Sequence, residues 1–314
     1  MRIVLGTDDG VWTLDGESAE QVALAGFAVC HVAAGEAIDV AAVAHDGLYE
    51  VTPKGQRRLW QGDARACAIA PDGTIYLGTE PAMIFRSTDR GGTWRRSDAI
   101  DDLPTRKDWY FPVSPREPHV RSIDVLPGAP DSVLVGVEVG GVVLSKDSGE
   151  TWRELKGVHA DVHNVRPDHG KPGRLLAATG GGLYASEDEG ASWERRMRGL
   201  DATYCVGLYV NPSRAGEVLA AVAQGPPGVD ARVYCSRNGG TDWQPVTGAP
   251  LPMRYDRVPV VFFTSDAAFV LTSAGDVFTA DDALGNWRHV LRVPASILTA
   301  AAAGGCPSSI SAGR

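Results

Sequence analysis

A chain of 314 residues, 44% apolar and 22% charged, can bury a substantial core, which excludes disorder and collagen-like structure. Thirty basic side chains against 39 acidic ones leave a formal charge of −9, so nothing in the balance favours nucleic acid or an anionic membrane surface as partner. Thirty-seven glycines and 20 prolines, with little helical patterning, predict many tight turns between short strands. The five cysteines, at 30, 67, 205, 235 and 306, show no CxxC pair and no zinc-type spacing with histidine; free thiols in a reducing compartment are expected. Met1-Arg2-Ile3-Val4-Leu5 reads straight into a strand without an apolar leader. The apolar stretch at 295–303 is about half the ~20 residues that a membrane span needs, so the expected location is the cytoplasm.

In chain order, residues 3–24 and 27–60 each read as a set of short strands joined by turns, the first holding Trp12. Residues 65–97 repeat that grammar and end in an octet carrying Ser87, Asp89, Gly91 and Trp94. A longer connection, 100–118, follows, with Trp109-Tyr110-Phe111 and five charged residues between Asp101 and Asp108. The octet returns as Ser145, Asp147, Gly149 and Trp152 after strands predicted from His119 onward, and again as Ser186, Asp188, Gly190 and Trp193 in the unit 161–200. The unit 203–246 closes on Ser236, Asn238, Gly240 and Trp243 and contains a second Gly/Pro-rich excess at 224–232. Residues 258–290 keep the strands with a degraded copy, Asp282 and Trp287, its glycine displaced to Gly285. The tail at 296–300 has a strand pattern and no unit of its own.

The shared pattern, S-x-[DN]-x-G-x-x-W, has a physical reading as a hairpin clasp. Asp or Asn bonds the amides of its own turn, Gly supplies a positive φ, and Trp packs back between neighbouring sheets. It resembles the Asp-box, or BNR, repeat of sialidases, sortilin-type domains and photosystem II assembly factors, which are β-propellers. That resemblance implies an all-β, seven-bladed β-propeller: one domain over 1–314, with the insertion 100–118 between blades three and four. The 296–300 strand would supply the inner strand that blade one lacks and so remove two exposed sheet edges. Segments such as Pro118-His119-Val120-Arg121-Ser122 and Asp161-Val162-His163 are also similar to those of soluble bacterial BNR-repeat proteins, a likeness that brings no reaction with it.

In propellers the usual ligand site is the funnel where inner strands begin and second-to-third-strand loops converge. Stacking the predicted strand starts puts Cys30, Cys67, Arg121, His163, Cys205 and Val261 at one rim position. Antiparallel pairing sets Glu138 beside His119 and Arg121, and Glu80 beside Arg65. A polar pocket is therefore expected. His119, Arg121, Glu138 and His163 are its candidate catalytic groups; Glu80, Asp161, Tyr204 and Cys205 are candidate ligand contacts, with Trp109, Tyr110 and Tyr255 as covering aromatics. Such a pocket suits an anionic or polyhydroxylated small molecule. Against this stands a bland reading: Glu138 with Arg121 and Glu80 with Arg65 only staple strand ends, and the cysteines only fill space. His119, His163 and Glu138 are also the candidate ligands of a divalent metal. His31, His45, His159, His169 and His289 are expected as solvated loop or rim residues.

The repeat does not make the chain a sialidase. The resemblance would require an arginine triad and an early [FY]-R-x-P segment on six blades, whereas the first unit offers Met1-Arg2-Ile3-Val4 and seven units are counted. No nucleophile elbow, phosphate loop or dinucleotide fingerprint is present; Gly180-Gly181-Gly182 falls in a strand-to-strand turn. A small-molecule ligand is favoured over a protein partner, with a non-catalytic assembly scaffold as the alternative, and whether any bond is broken is left open.

Overall fold

The computed structural model describes residues 2–281 and 284–302. Twenty-eight strands form seven four-stranded antiparallel sheets arranged as the blades of a β-propeller, each running in sequence order from an inner strand outward, except in blade one. The inner strands of blades two to seven are Val29–Ala34, Ala64–Ile69, His119–Val125, Val162–Pro167, Tyr204–Val210 and Val260–Phe263. Blade one takes its inner strand from the other end of the chain: Ile297–Ala302 pairs with Arg2–Thr7, from Ile3 opposite Ala302 to Thr7 opposite Ile297. Asp8 fastens the junction, its carboxylate accepting the Ser296 amide at 2.8 Å. Closure by the tail, expected from 296–300, is thus present.

The pattern of burial explains the blades. Second strands such as Val133–Glu138 are buried at every residue because a neighbouring blade covers each face, and they are accordingly runs of Val, Leu and Gly. In blades three, five and six the outer strands shorten to exposed pairs, Arg95–Arg96, Glu194–Arg195 and Gln244–Pro245, which leaves little free edge there for another chain to join, whereas blade two keeps a seven-residue outer strand, Gly55–Gln61. Glycines on second strands let blades approach: a Cβ at Gly78 would run into Val120 of the next blade, and one at Gly136 into Val162.

The octets do what their chemistry predicts. In blade four, Asp147 Oδ1 accepts the Ser145 hydroxyl and the Thr151 amide, each at 2.8 Å, and Oδ2 accepts the Thr151 hydroxyl at 2.6 Å, around Gly149 at φ +89°. In blades three, four and six the tryptophan ties the box to the blade before it by a hydrogen bond. Trp94 Nε1 donates to the Leu59 carbonyl, Trp152 to the Ser97 hydroxyl and Trp243 to the Arg196 carbonyl. The degraded copy in blade seven differs: Trp287 donates to Leu284 of its own turn, while Asp282 lies outside the described residues.

These bonds favour the ionised carboxylate, and they hold Asp89 and Asp188 at about 2 against the usual 3.8, chiefly through the amide and hydroxyl of Thr93 and of Ser192. A depressed folded-state pKa contributes stability that is complete above about 4 and is lost as pH falls through about 2. Blade six makes the same clasp with Asn238, which does not titrate. An Asp89→Asn, Asp188→Asn variant is therefore expected to lose less stability between about pH 4 and about pH 2 than the parent, read from urea midpoints. Equal losses in the two proteins would show that the boxes do not carry the acid sensitivity.

The insertion contains two short 3-10 turns, Asp98–Asp102 and Arg106–Asp108. Trp109 is not the funnel cover expected of it. It is buried on the apolar flank with Ile100, Leu103 and Val137, its Nε1 donating to Thr105 Oγ1 at 3.1 Å and the Arg106 guanidinium lying 4.8 Å from its ring centre. No helix among the described residues is long and apolar enough to cross a membrane.

Candidate functional site at the funnel mouth

Six inner strands share one irregularity near their start. The register slips by one residue, and the extra residue is Leu298, Cys30, Arg65, Arg121, His163 or Val206 in blades one to six. A bulge bends its strand and re-aims the side chain of the unpaired residue. Here it brings Arg65, Arg121 and His163 together at the end of the ring where inner strands begin. The rim expected from the sequence is correct for Cys30, Arg121 and His163; the rim residue is Arg65 where Cys67 was expected and Val206 where Cys205 was, because no residue type marks where those two strands begin.

Around these bulges the predicted charges meet. Arg65 contacts Asp63 and Glu80, each at 2.8 Å, and Arg121 contacts Glu138 at 3.0 Å. His119 lies between two carboxylates, Nε2 at 3.0 Å from Glu138 and Nδ1 at 3.5 Å from Glu80. Burial raises the Glu138 carboxyl, but Arg121, His119 and His163 outweigh it and hold the group at about 2. His163 donates from Nδ1 to the Cys205 carbonyl at 2.6 Å and turns Nε2 towards Asp161, 3.4 Å away. Two rings frame the histidines edge-on: Tyr204 at 4.7 Å from His163 and Phe111 at 5.0 Å from His119. Burial raises the Tyr204 hydroxyl, Glu138 and Asp161 add to the shift, and Arg121 opposes it.

Several expected contacts do not belong to this cluster. Tyr255 is buried in the apolar contact of blades six and seven with Ala231 and Val258, and burial pushes its hydroxyl far up. Cys205 offers its backbone carbonyl, while its side chain points to the opposite face from Tyr204, into an apolar cluster. Tyr110 is exposed beside the blade-four turn, its amide reaching the Val139 carbonyl, and Phe111 takes the place over the histidines that Trp109 was expected to fill. The donor set suited to a metal is also not the expected one. Glu138, Asp161 and His163 have ligand atoms within 4.8 Å of one another, with Asp161 in the place of His119.

His31 corrects another expectation. It is fully buried one residue past the Cys30 bulge, its Nδ1 accepting the Cys67 amide at 3.0 Å. Burial, with Arg166 and Arg121 nearby, drives its pKa well below the usual value, so the ring is neutral. Its place one residue beyond the bulge, shared with Thr299, Ser122 and Asn164, is a signal that sequence reading would have found had the bulge been counted.

No protein-family profile matches the chain. It is 22% identical over 269 residues to a xyloglucanase of Paenibacillus sp., covering 71% of this chain and 26% of that protein. It is 26% identical over 163 residues to an oligoxyloglucan-reducing end-specific xyloglucanase of Emericella nidulans, covering 48% and 19%. A vacuolar protein sorting/targeting protein 10 of Zygosaccharomyces rouxii is 26% identical over 185 residues, covering 50% and 12%. The chain thus spans about a quarter or less of the length of these curated relatives. Among solved structures, an ancestral GH74 enzyme superposes with a TM-score of 0.66 at 16% identity, over 92% of this chain and 40% of that one. YCF48 bound to D1 peptide superposes with a TM-score of 0.54 at 17% identity, over 84% and 83%. The fold is that of the Asp-box propellers, the sialidase-, sortilin- and assembly-factor-like type.

Proposed function

We propose that the chain binds a neutral, polyhydroxylated ligand, an oligosaccharide, at the funnel mouth. The observation that carries this reading is the charge arrangement: among the described residues the four carboxylates Asp63, Glu80, Glu138 and Asp161 meet two guanidinium groups, Arg65 and Arg121, each already in contact with a carboxylate, and the imidazoles of His45, His119 and His163. An anionic ligand would meet excess negative charge, whereas sugar hydroxyls donate to carboxylates and pack their C–H faces on rings such as Phe111 and Tyr204. The xyloglucanase relatives support a carbohydrate ligand. Glu138, held at about 2, is ionised and so suits accepting hydrogen bonds from sugar hydroxyls and not the role of a glycosidase acid.

Calorimetric titration with xyloglucan oligosaccharides is the test. Binding by the parent and a loss of at least about tenfold in Glu138→Gln, roughly one removed charge-assisted hydrogen bond, is the expected result. Absence of binding by the parent to xyloglucan and other neutral oligosaccharides at millimolar concentration would sink the reading. A second reading, a docking face for peptide or protein, has its own support. The exposed large apolar residues Phe27, Tyr110, Val113, Val229 and Met253 all sit on loops at the funnel end, and the YCF48 likeness spans most of both chains. Peptide capture that is weakened by Tyr110→Ala and Met253→Ser, with no sugar binding, would favour it.

A further inference from the structure

We propose that Glu138, Asp161 and His163 together hold one divalent cation at the mouth of the funnel. Their ligand atoms lie within 4.8 Å of one another and come from the second strand of blade four and the start of blade five. The imidazole is set as a metal ligand would be. Nδ1–H is committed to the Cys205 carbonyl at 2.6 Å, so in the neutral ring Nε2 is the nitrogen with the lone pair, and the Tyr204 ring fixes the plane. That Nε2 is buried, has no hydrogen-bond partner among the described residues, and faces Asp161 Oδ1 at 3.4 Å. A buried lone pair left without a donor is costly, and a cation is one group that satisfies it together with two carboxylates.

The surroundings agree. Gly180 makes room for Asp161: a Cβ there would strike the Asp161 carboxylate, while the Gly180 amide bonds the Asp161 carbonyl at 2.9 Å. Asp161 stands on the loop entering its strand with 29% of its side chain exposed, so it is the ligand with freedom to close on an ion. Arg121 and His119 both contact Oε2 of Glu138 and would orient that carboxylate from behind. With Arg121 counted, the two carboxylates still leave one negative charge for a cation to neutralise. One imidazole nitrogen with two carboxylate oxygens suits zinc or manganese better than magnesium, which keeps mostly water.

The inference does not depend on what else the funnel binds. Untagged protein is stripped with chelator and dialysed against zinc, and separately manganese, with bound metal counted by elemental analysis. One equivalent of at least one ion is expected in the parent, with affinity lowered at least about tenfold in Asp161→Asn and in His163→Gln and the count kept at one in His289→Ala, which alters an exposed histidine of blade seven remote from the funnel. Melting temperatures are recorded throughout; if His163→Gln does not fold, Asp161→Asn, altered at a partly exposed position, decides. No bound ion in the parent at millimolar concentration overturns the proposal. So does binding that survives Asp161→Asn unchanged, because the ion would then sit on surface histidines. Oligosaccharide titrations of the stripped protein report on the proposed ligand alone and leave the metal count standing.

Discussion

Removing residues from Ala295 onward is expected to abolish cooperative unfolding. The lost segment contains the inner strand of blade one, Ile297–Ala302, whose Ile297, Ala300, Ala301 and Ala302 are buried against the strand Arg2–Thr7 and the neighbouring blades. The truncation exposes the ladder edge of Arg2–Thr7 and opens the ring between its first and last blades. Against a total folding free energy of about 5–15 kcal/mol, the loss of a whole buried strand leaves too little to hold the remaining blades as one unit. The measurement is a circular-dichroism melt of the shortened chain, with the synthetic 295–302 peptide added in trans as a rescue. A sharp transition at the parent temperature would show that the ring does not depend on its closing strand.

Nearly as large an effect is expected of Asp124→Ala. Asp124 and Arg166 form an ion pair at 3.0 Å between blades four and five, their side chains only 1% and 2% exposed. Burial raises the Asp124 carboxyl, and Arg166 and His169 pull it only part of the way back. Taking the carboxylate away leaves the guanidinium buried without that counter-charge, at a cost of about 3–5 kcal/mol in urea unfolding. Asp124→Ala with Arg166→Met is expected to recover part of the loss, because the charge itself is then gone. A single-variant loss within about 1 kcal/mol would place the pair among interactions of surface strength.

The architecture was legible because its signals are local and repeated. Each octet specifies its own turn through Ser145, Asp147, Gly149 and Trp152 or their counterparts, and four copies set the spacing of the blades between them. Closure followed from an unmatched strand at each end. Pairing Glu138 with His119 and Arg121 was legible as well, since antiparallel register sets partners directly opposite. What escaped depended on a one-residue slip that no residue type announces. The slip turned His31 into the interior, and strand starts that no residue type marks put Arg65 and Val206 on the rim in place of Cys67 and Cys205. Trp109 and Phe111 were confused for a different reason. Two aromatics in one insertion are equivalent as sequence, and only the apolar flank made by Ile100, Leu103 and Val137 decides which one is buried.

The repeated bulge has a consequence for how this ring can change. A residue left out of the strand ladder spends none of its side chain on pairing, so its identity is nearly independent of the backbone around it. The slots differ in what surrounds them: Val206 is packed in the apolar cluster of blades six and seven, whereas Leu298 and Cys30 reach the surface. Leu298 and Cys30, partly exposed, occupy two of them, while Arg65, Arg121 and His163 occupy the three in consecutive blades that carry polar groups. Single substitutions at positions 298 and 30 would extend the polar arc around the opening, and new recognition would arise there without any blade being rebuilt.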